Sequence, residues 1–574
     1  MPFRSSFPDV HVQSTNILSY LFPPRTAQEE DTALWIDAKD PSKYISSRQA
    51  LTLIRRFAAG LDRMGIPQDS AIMVVAPNNI FVPIVYLTAA GSGRFFTAAN
   101  PGYTVGELVH QMKTIRAAVV LADPSALEKV GEAARVAGIP REKIFEFSDA
   151  PGTGAGSFQN WRSVWVTEQV GAQWQWDPMC GGGAEKRIAV VNFSSGTTGL
   201  PKGVCITHAQ ICANAAQVIH TRMADTGQSV NERARAEADR WLAFLPWYHA
   251  YAQLFTLVMA CKLRQAVYTM GHFELEAYIE YIGKYRITAL QVVPPVLVML
   301  NKRAGIEECD VKSVEYVMSA AAPLKRELQN EISRKLGSMI AQSWGMTETT
   351  CTGLMYRGRE EDGSGSVGQL LPNTEAMLVD EAGREVDVDH AVGEVDVDHA
   401  VGEAGELWVR GPQMMLRYWE NEAATRETVT ADGWLKTGDV AQHRAGRFWI
   451  VDRRKELIKV RGFQVAPAEL EALLLDHPAV ADCAVVGLAA RDDSEELPRA
   501  YVALQEEAAT HPEQAIRAID QYFGERVARH KRLTGGIAVV ESIPRLLSGK
   551  IQRKVVKEWA KRARDAKAVA QAKL

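Results

Sequence analysis

At 574 residues the chain is too long for a single hydrophobic core, so two or more folded units are expected. Hydrophobic residues at 47% with charged residues at 23% exclude a disordered polymer, and a net charge of -4 gives no reason to expect a nucleic acid as partner. Seven cysteines without a CxxC pair argue against a disulfide framework and a zinc site, and suit a reducing compartment.

The N-terminal stretch MPFRSSFPDVHVQST has no apolar core of secretory type, and no apolar run is long enough to span a bilayer. Ser46 to Gly65 reads as an amphipathic helix with Leu51, Ile54, Phe57, Ala58 and Leu61 on one stripe. Ala71 to Val75 then reads as a strand and Ile80 to Ala90 as a helix, and Ala117 to Ala122 with Pro124 to Ala137 repeats the pair. Such alternation predicts a parallel sheet covered by helices. The glycine-rich segments around Gly152–Gly156 and Gly181–Gly183 bracket a surface connection.

The apolar run Ile188 to Phe193 predicts a buried strand, and it empties into Ser194-Ser195-Gly196-Thr197-Thr198-Gly199 and Leu200-Pro201-Lys202-Gly203. Glycines let backbone approach an anion, four hydroxyl residues add donors, and Lys202 supplies positive charge, as a polyphosphate cradle requires. The spacing is not that of a Walker A loop, and read alone the segment is also compatible with a Gly/Ser turn.

Beyond it the alternation resumes. Helix Ala209–Ile219, strand Trp241–Leu245, helix Tyr251–Cys261, strand Ala266–Thr269 and strand Ala289–Val293 come first. A helix from Pro295, strand Val314–Ser319, a helix from Pro323 and strand Met339–Ser343 complete a second doubly wound layer, whose ligands are expected beyond the carboxyl ends of its strands. EVDVDHAVG occurs twice in succession, at 385–393 and 394–402. Two copies do not make a solenoid, and a lengthened turn between strands Ala376–Val379 and Glu406–Val409 explains them better than a metal site at His390 and His399. From about Lys455 the texture becomes that of a compact α+β unit: Lys455–Val460 with Phe463–Val465, helix Pro467–Leu475, strands Ala481–Gly487 and Ala500–Leu504, helix Gln514–Ala528, strand Ile537–Val540 and a basic terminal helix. The boundary is placed after residue 452, giving units 1–452 and 453–574.

The string SSGTTGLPKG resembles the phosphate loop of the adenylate-forming superfamily, which contains acyl- and aryl-CoA ligases, luciferases and peptide-synthetase adenylation domains. Further stretches are similar to other motifs of that superfamily: Pro246 to Tyr251 (PWYHAY), Gln342 to Glu348 (QSWGMTE), Trp434 to Asp439 (WLKTGD), Asp452 to Val465 and Pro544 to Arg553. The resemblance implies a large α/β N-terminal domain, with two doubly wound sheets and a β-rich subdomain, and a small mobile α+β C-terminal domain. It also implies ATP, Mg2+ and coenzyme A as reaction partners of a carboxylic acid. The nucleotide would meet Ser194 to Gly199, Lys202, Ala321, Gln342, Trp344 against the adenine, Thr347 at the phosphate, Asp439 at the ribose and Arg453, with Glu348 holding Mg2+. The acid pocket would be formed by His249, Tyr251, Ala320, Ser343, Gly345 and Met355. Lys455 would be the hinge, and Lys459, Arg461, Gly462 and Gln464 the thioester-forming face. Lys550 would bridge acid and nucleotide as charge gathers on the α-phosphate, so that Lys550, His249 and Lys459 are the catalytic candidates.

The resemblance is strongest to the 4-coumarate-CoA ligase branch, with three departures. Ala320 and Ser343 stand where plant members often carry glycine, which implies a shorter or narrower acid site, and His272 stands where a lysine is common. A small aromatic acid is therefore the expected substrate. A medium-chain fatty acid, a freestanding adenylation enzyme that loads a carrier protein, and a non-catalytic nucleotide-binding protein are the alternatives. The C-terminal Ala572-Lys573-Leu574 differs by one small residue from the Ser-Lys-Leu address, which predicts a peroxisomal import receptor as partner and a peroxisomal location, otherwise a cytoplasmic one; a bland helical tail can also end this way.

Overall fold

The computed structural model describes residues 2–24, 31–149, 158–194, 201–224, 239–358, 360, 362–386, 404–460, 463–489, 496–546 and 549–571. Ser195 to Gly199 of the expected phosphate loop, Arg461 and Gly462 of the expected thioester face, both histidines of the duplicated segment, the 152–156 glycine segment and the last three residues lie outside the described ones. Gln464 is described for its backbone only.

Among the described residues the large unit contains three sheets. The first runs in the order 417–418, 202–207, 188–194, 95–99, 71–75, 119–122, 144–146 and 159–160. The second runs 369–370, 354–355, 339–344, 316–319, 289–292, 240–243, 266–269, 33–37 and 44–46. A five-stranded antiparallel sheet, 3–4, 375–379, 405–410, 435–444 and 447–453, is the β-rich subdomain. The helix Val82–Gly91 has all ten residues buried, as suits a helix that carries no charge and is apolar on every face but for Thr88 and the Tyr86 hydroxyl, and it shares one continuous core with side chains of both large sheets, such as Phe96 and Trp241.

Local chemistry fixes these elements. Helix Ser47–Arg63 starts at a capping box between Ser46 and Gln49 and buries Ile54, Phe57, Ala58 and Leu61. Helix His208–Met223 starts at a second such box between Thr207 and Gln210. Four expectations are corrected. The first sheet is not wholly parallel, because Lys202–Thr207 returns antiparallel to Ile188–Ser194 through the phosphate loop. Strand Phe95–Ala99 was not expected, since its five residues carry too short an apolar run to separate from the preceding helix. The helix expected over 251–261 widens into a π-helix at Gln253–Met259. There the Gln253 side chain is held by Asn192 and by the Trp247 carbonyl. The helix after Pro323 begins only at Arg326.

The small unit packs helix Pro467–Leu475 and helix Pro512–Gly524 on the sheet 480–489, 496–504 and 536–539. Arg453 still pairs with Asp439 in the last ladder of the large unit, so the small unit's own core starts at Ile458.

Candidate active site

Strands from all three large sheets, those of the first two by their carboxyl ends, converge on one cavity of about 2700 Å³, which the small unit closes from the other side. Phe193 and Ser194 reach it from the first sheet, Gln342, Ser343 and Trp344 from the second, and Gly438, Asp439 and Arg453 from the third. Lys550 enters from the small unit.

Ser194 and Lys202 face each other as register partners, so the ladder places the two ends of the phosphate loop at the cavity wall. The Lys202 ammonium lies 4.9 Å from the ring centroid of Tyr418, and the Tyr418 hydroxyl donates to Glu348 Oε1 at 2.8 Å. Tyr418 has no counterpart among the sequence candidates. It reaches the site because the two-residue strand Arg417–Tyr418 pairs with Val204 and Cys205, a long-range contact that no local pattern announces. Glu348 is a buried carboxylate at the cavity wall with one oxygen engaged by Tyr418. Mg2+ accepts a single such carboxylate when phosphates and waters complete its shell, so the residues present fit the ion.

Asp439 is 6% exposed and held on both sides. Arg453 Nε lies 3.3 Å from Oδ1, and the Trp344 indole N–H donates to Oδ2 at 2.8 Å. The Asp439 carboxylate raises the Arg453 pKa, and Lys550 feels both charges. Burial, helped by the Arg453 cation, pushes the Lys550 ammonium down to about 8, while Asp439, Glu348 and Glu456 oppose that shift. The lysine loop is seated by Gly549, whose φ of +80° suits glycine, and whose missing Cβ would lie 3.1 Å from Val293 and 3.2 Å from Pro295.

His249 borders the same cavity, and burial together with the Lys550 charge pushes its pKa to about 3, so it is neutral at ordinary pH. Its Nδ1 accepts the backbone N–H of Tyr251 at 3.4 Å. That tautomer carries its proton on Nε2, where it can donate to a carboxylate.

Gln342, Ala321, Ser343, Gly345 and Thr347 border the cavity, as do Lys455 and Lys459. Lys455 and Lys459 are exposed, and the Lys459 backbone N–H donates to Glu496. Tyr251, Ala320 and Met355 are buried away from the cavity wall. The Tyr251 hydroxyl donates to the Met318 carbonyl at 2.9 Å, which turns its polar end into the second sheet.

Residues 24–419 match the family described as AMP-binding enzyme, and residues 469–550 match its C-terminal domain. The chain belongs to the AMP-binding enzyme family. It is an adenylate-forming acid–thiol ligase. This AMP-binding enzyme is 34% identical over 531 residues to the acyl-CoA synthetase ACTT5 of Alternaria alternata, with 91% of this chain and 87% of that protein covered. It is 32% identical over 560 residues to the phenylacetyl-CoA ligase epaB of Aspergillus niger, with 96% and 97% covered. Among solved structures, an anthranilate CoA ligase, AuaEII, in complex with anthranoyl-AMP superposes with a TM-score of 0.80 at 21% identity, over 97% of this chain and 99% of that one. At that identity the superposition establishes the fold of the AMP-binding enzyme, with its large α/β unit and smaller C-terminal unit.

Proposed function

We propose that this enzyme joins a small aromatic carboxylic acid to coenzyme A through an acyl-adenylate. The reading is carried by one observation, that Lys550, His249, Asp439, Arg453 and Glu348 border a single cavity although they come from five separate stretches of chain. In the first step a carboxylate oxygen of the acid attacks the α-phosphorus of ATP, the P–O bond to the β-phosphate breaks, and pyrophosphate leaves. The Lys550 ammonium stabilises the charge that grows on the α-phosphate oxygens, and His249 Nε2–H orients the second carboxylate oxygen. Glu348 would hold Mg2+, which neutralises phosphate charge when bound. In the second step the CoA thiol, giving up its proton to solvent, adds to the acyl carbon, and the bond from that carbon to the phosphate oxygen breaks so that AMP leaves.

The aromatic preference is supported by similarity to the phenylacetyl-CoA ligase over nearly the whole chain. It is also supported by Ser343 at the cavity wall, which fills space that a glycine leaves open, whereas Ala320, the other such replacement, lies off that wall. A panel of acids offered to the purified enzyme with ATP and CoA, read by AMP release, tests this. Turnover of benzoate, phenylacetate or cinnamate is expected, and turnover of hexanoate or octanoate with no turnover of any aromatic acid overturns the aromatic assignment.

A further inference from the structure

We propose that Trp344 is a positioning residue for sugar recognition, aiming the Asp439 carboxylate at the ribose hydroxyls while its ring borders the place of the adenine. The inference rests on the reading of Asp439 as the ribose ligand and goes beyond it, because it adds a second residue to that recognition through a contact outside the nucleotide.

Trp344 ends the strand Met339–Trp344 and is 7% exposed. Its indole is fixed from two sides. Gly353 opposes it, with the Gly353 backbone N–H donating to the Trp344 carbonyl at 2.9 Å. A Cβ on Gly353 would lie 2.7 Å from Cζ3 of the indole, so the ring occupies space that any other residue would claim. On the other side the indole N–H donates to Asp439 Oδ2 at 2.8 Å.

Asp439 needs such a partner. A carboxylate that receives two sugar hydroxyls must present both oxygens in one plane, and rotation about χ2 is soft. Arg453 constrains Oδ1 from 3.3 Å, and the backbone N–H of Asp439 is tied to Thr437 Oγ1 at 3.0 Å. The bond from Trp344 fixes the remaining oxygen, while each oxygen retains a lone pair for a hydroxyl. A phenylalanine can stack but cannot donate, and a tyrosine carries its donor at the ring tip rather than on its flank.

The test compares ATP with 2′,3′-dideoxy-ATP. Adenylation is followed by pyrophosphate release in the wild type, Trp344→Phe, Trp344→Tyr and Asp439→Asn. Lost stacking lowers kcat/KM for both nucleotides alike, whereas a misaimed carboxylate lowers it only for ATP. The expected result is that the ratio of kcat/KM for ATP over the dideoxy analogue falls by about tenfold in Trp344→Phe and Trp344→Tyr, the scale of one hydrogen bond to a charged group. An unchanged ratio in both Trp344 variants, with a lowered ratio in Asp439→Asn, overturns the role of Trp344 and leaves Asp439 as the ribose ligand. A wild-type ratio in Asp439→Asn overturns the ribose reading itself, and the proposal with it. If Trp344→Phe fails to fold, Trp344→Tyr, which keeps more of the ring volume, carries the same expectation.

Discussion

In the proposed adenylation Lys550 has to be cationic to stabilise a phosphate oxyanion, yet its buried place beside Arg453 lowers its pKa to about 8. A base whose pKa falls from 10.5 to that value is charged below it and neutral above it. The kcat/KM for ATP in the adenylation step is therefore expected to decline as the pH rises through about 8 in the free enzyme. Lys550→Arg, whose guanidinium stays protonated, should lower the rate but remove that alkaline limb; pH profiles of pyrophosphate release for both proteins check this, and a limb retained in the arginine variant counts against Lys550 as its source. At this scale the sequence was most readable where a short string carries a charge in a fixed order, as in TGD around Asp439 or SGK around Lys550. It was least readable where a side chain is recruited by pairing of distant strands, as for Tyr418, or turned away by a bond to neighbouring backbone, as for Tyr251.

The strand Ile188–Ser194 leads to the proposed phosphate loop, and its anchorage is a buried pair of amides. Asn192 and Gln253 exchange hydrogen bonds at 2.9 and 3.1 Å, and Gln253 also donates to the Trp247 carbonyl at 2.8 Å. Asn192→Leu leaves the buried Gln253 carbonyl oxygen and one of its two amide hydrogens without their partner, and is expected to destabilise the enzyme by about 1–3 kcal/mol, measured by denaturant unfolding; a change within 0.5 kcal/mol would contradict the anchoring role. Gly345 is a second constraint of this kind, because a Cβ there would lie 1.7 Å from the Cys351 carbonyl oxygen. Gly345→Ala must displace the 351–353 backbone, so a loss of adenylation of at least about tenfold is expected, with a stability cost of about 1–3 kcal/mol. Helix and strand positions in both layers were legible because the chain's apolar periodicity and capping residues agree with the fold, as at Ser46 and Gln49. The π-helix at Gln253–Met259 was not, since its apolar pattern matches an ordinary helix and only the tertiary bonds of Gln253 distinguish it.

At the scale of the whole molecule, the candidate site draws its lining from both units, so the proposed function needs the small unit docked. Lys325 of the large unit pairs with Asp476 of the small one at 2.7 Å, Lys302 donates to the Val480 carbonyl at 3.1 Å, and Asp452 Oδ2 accepts the Ala468 N–H at 3.1 Å. The Lys325–Asp476 pair is half-exposed, so its removal should cost little: Lys325→Asp is expected to slow adenylation only about two- to fivefold, and the double variant Lys325→Asp with Asp476→Lys should recover it. Glu456, just past the hinge candidate Lys455, is held by Arg553 at 2.6 Å, which ties the hinge turn to the small unit. The most direct measurement separates the two half-reactions in Lys550→Ala. With acid and ATP the pyrophosphate burst should fall by about a hundredfold or more, while thioester formation from a preformed acyl-adenylate and CoA should keep most of its rate. Equal loss in both half-reactions, or none in the first, would contradict a lysine brought by the docked small unit to the phosphate being transferred.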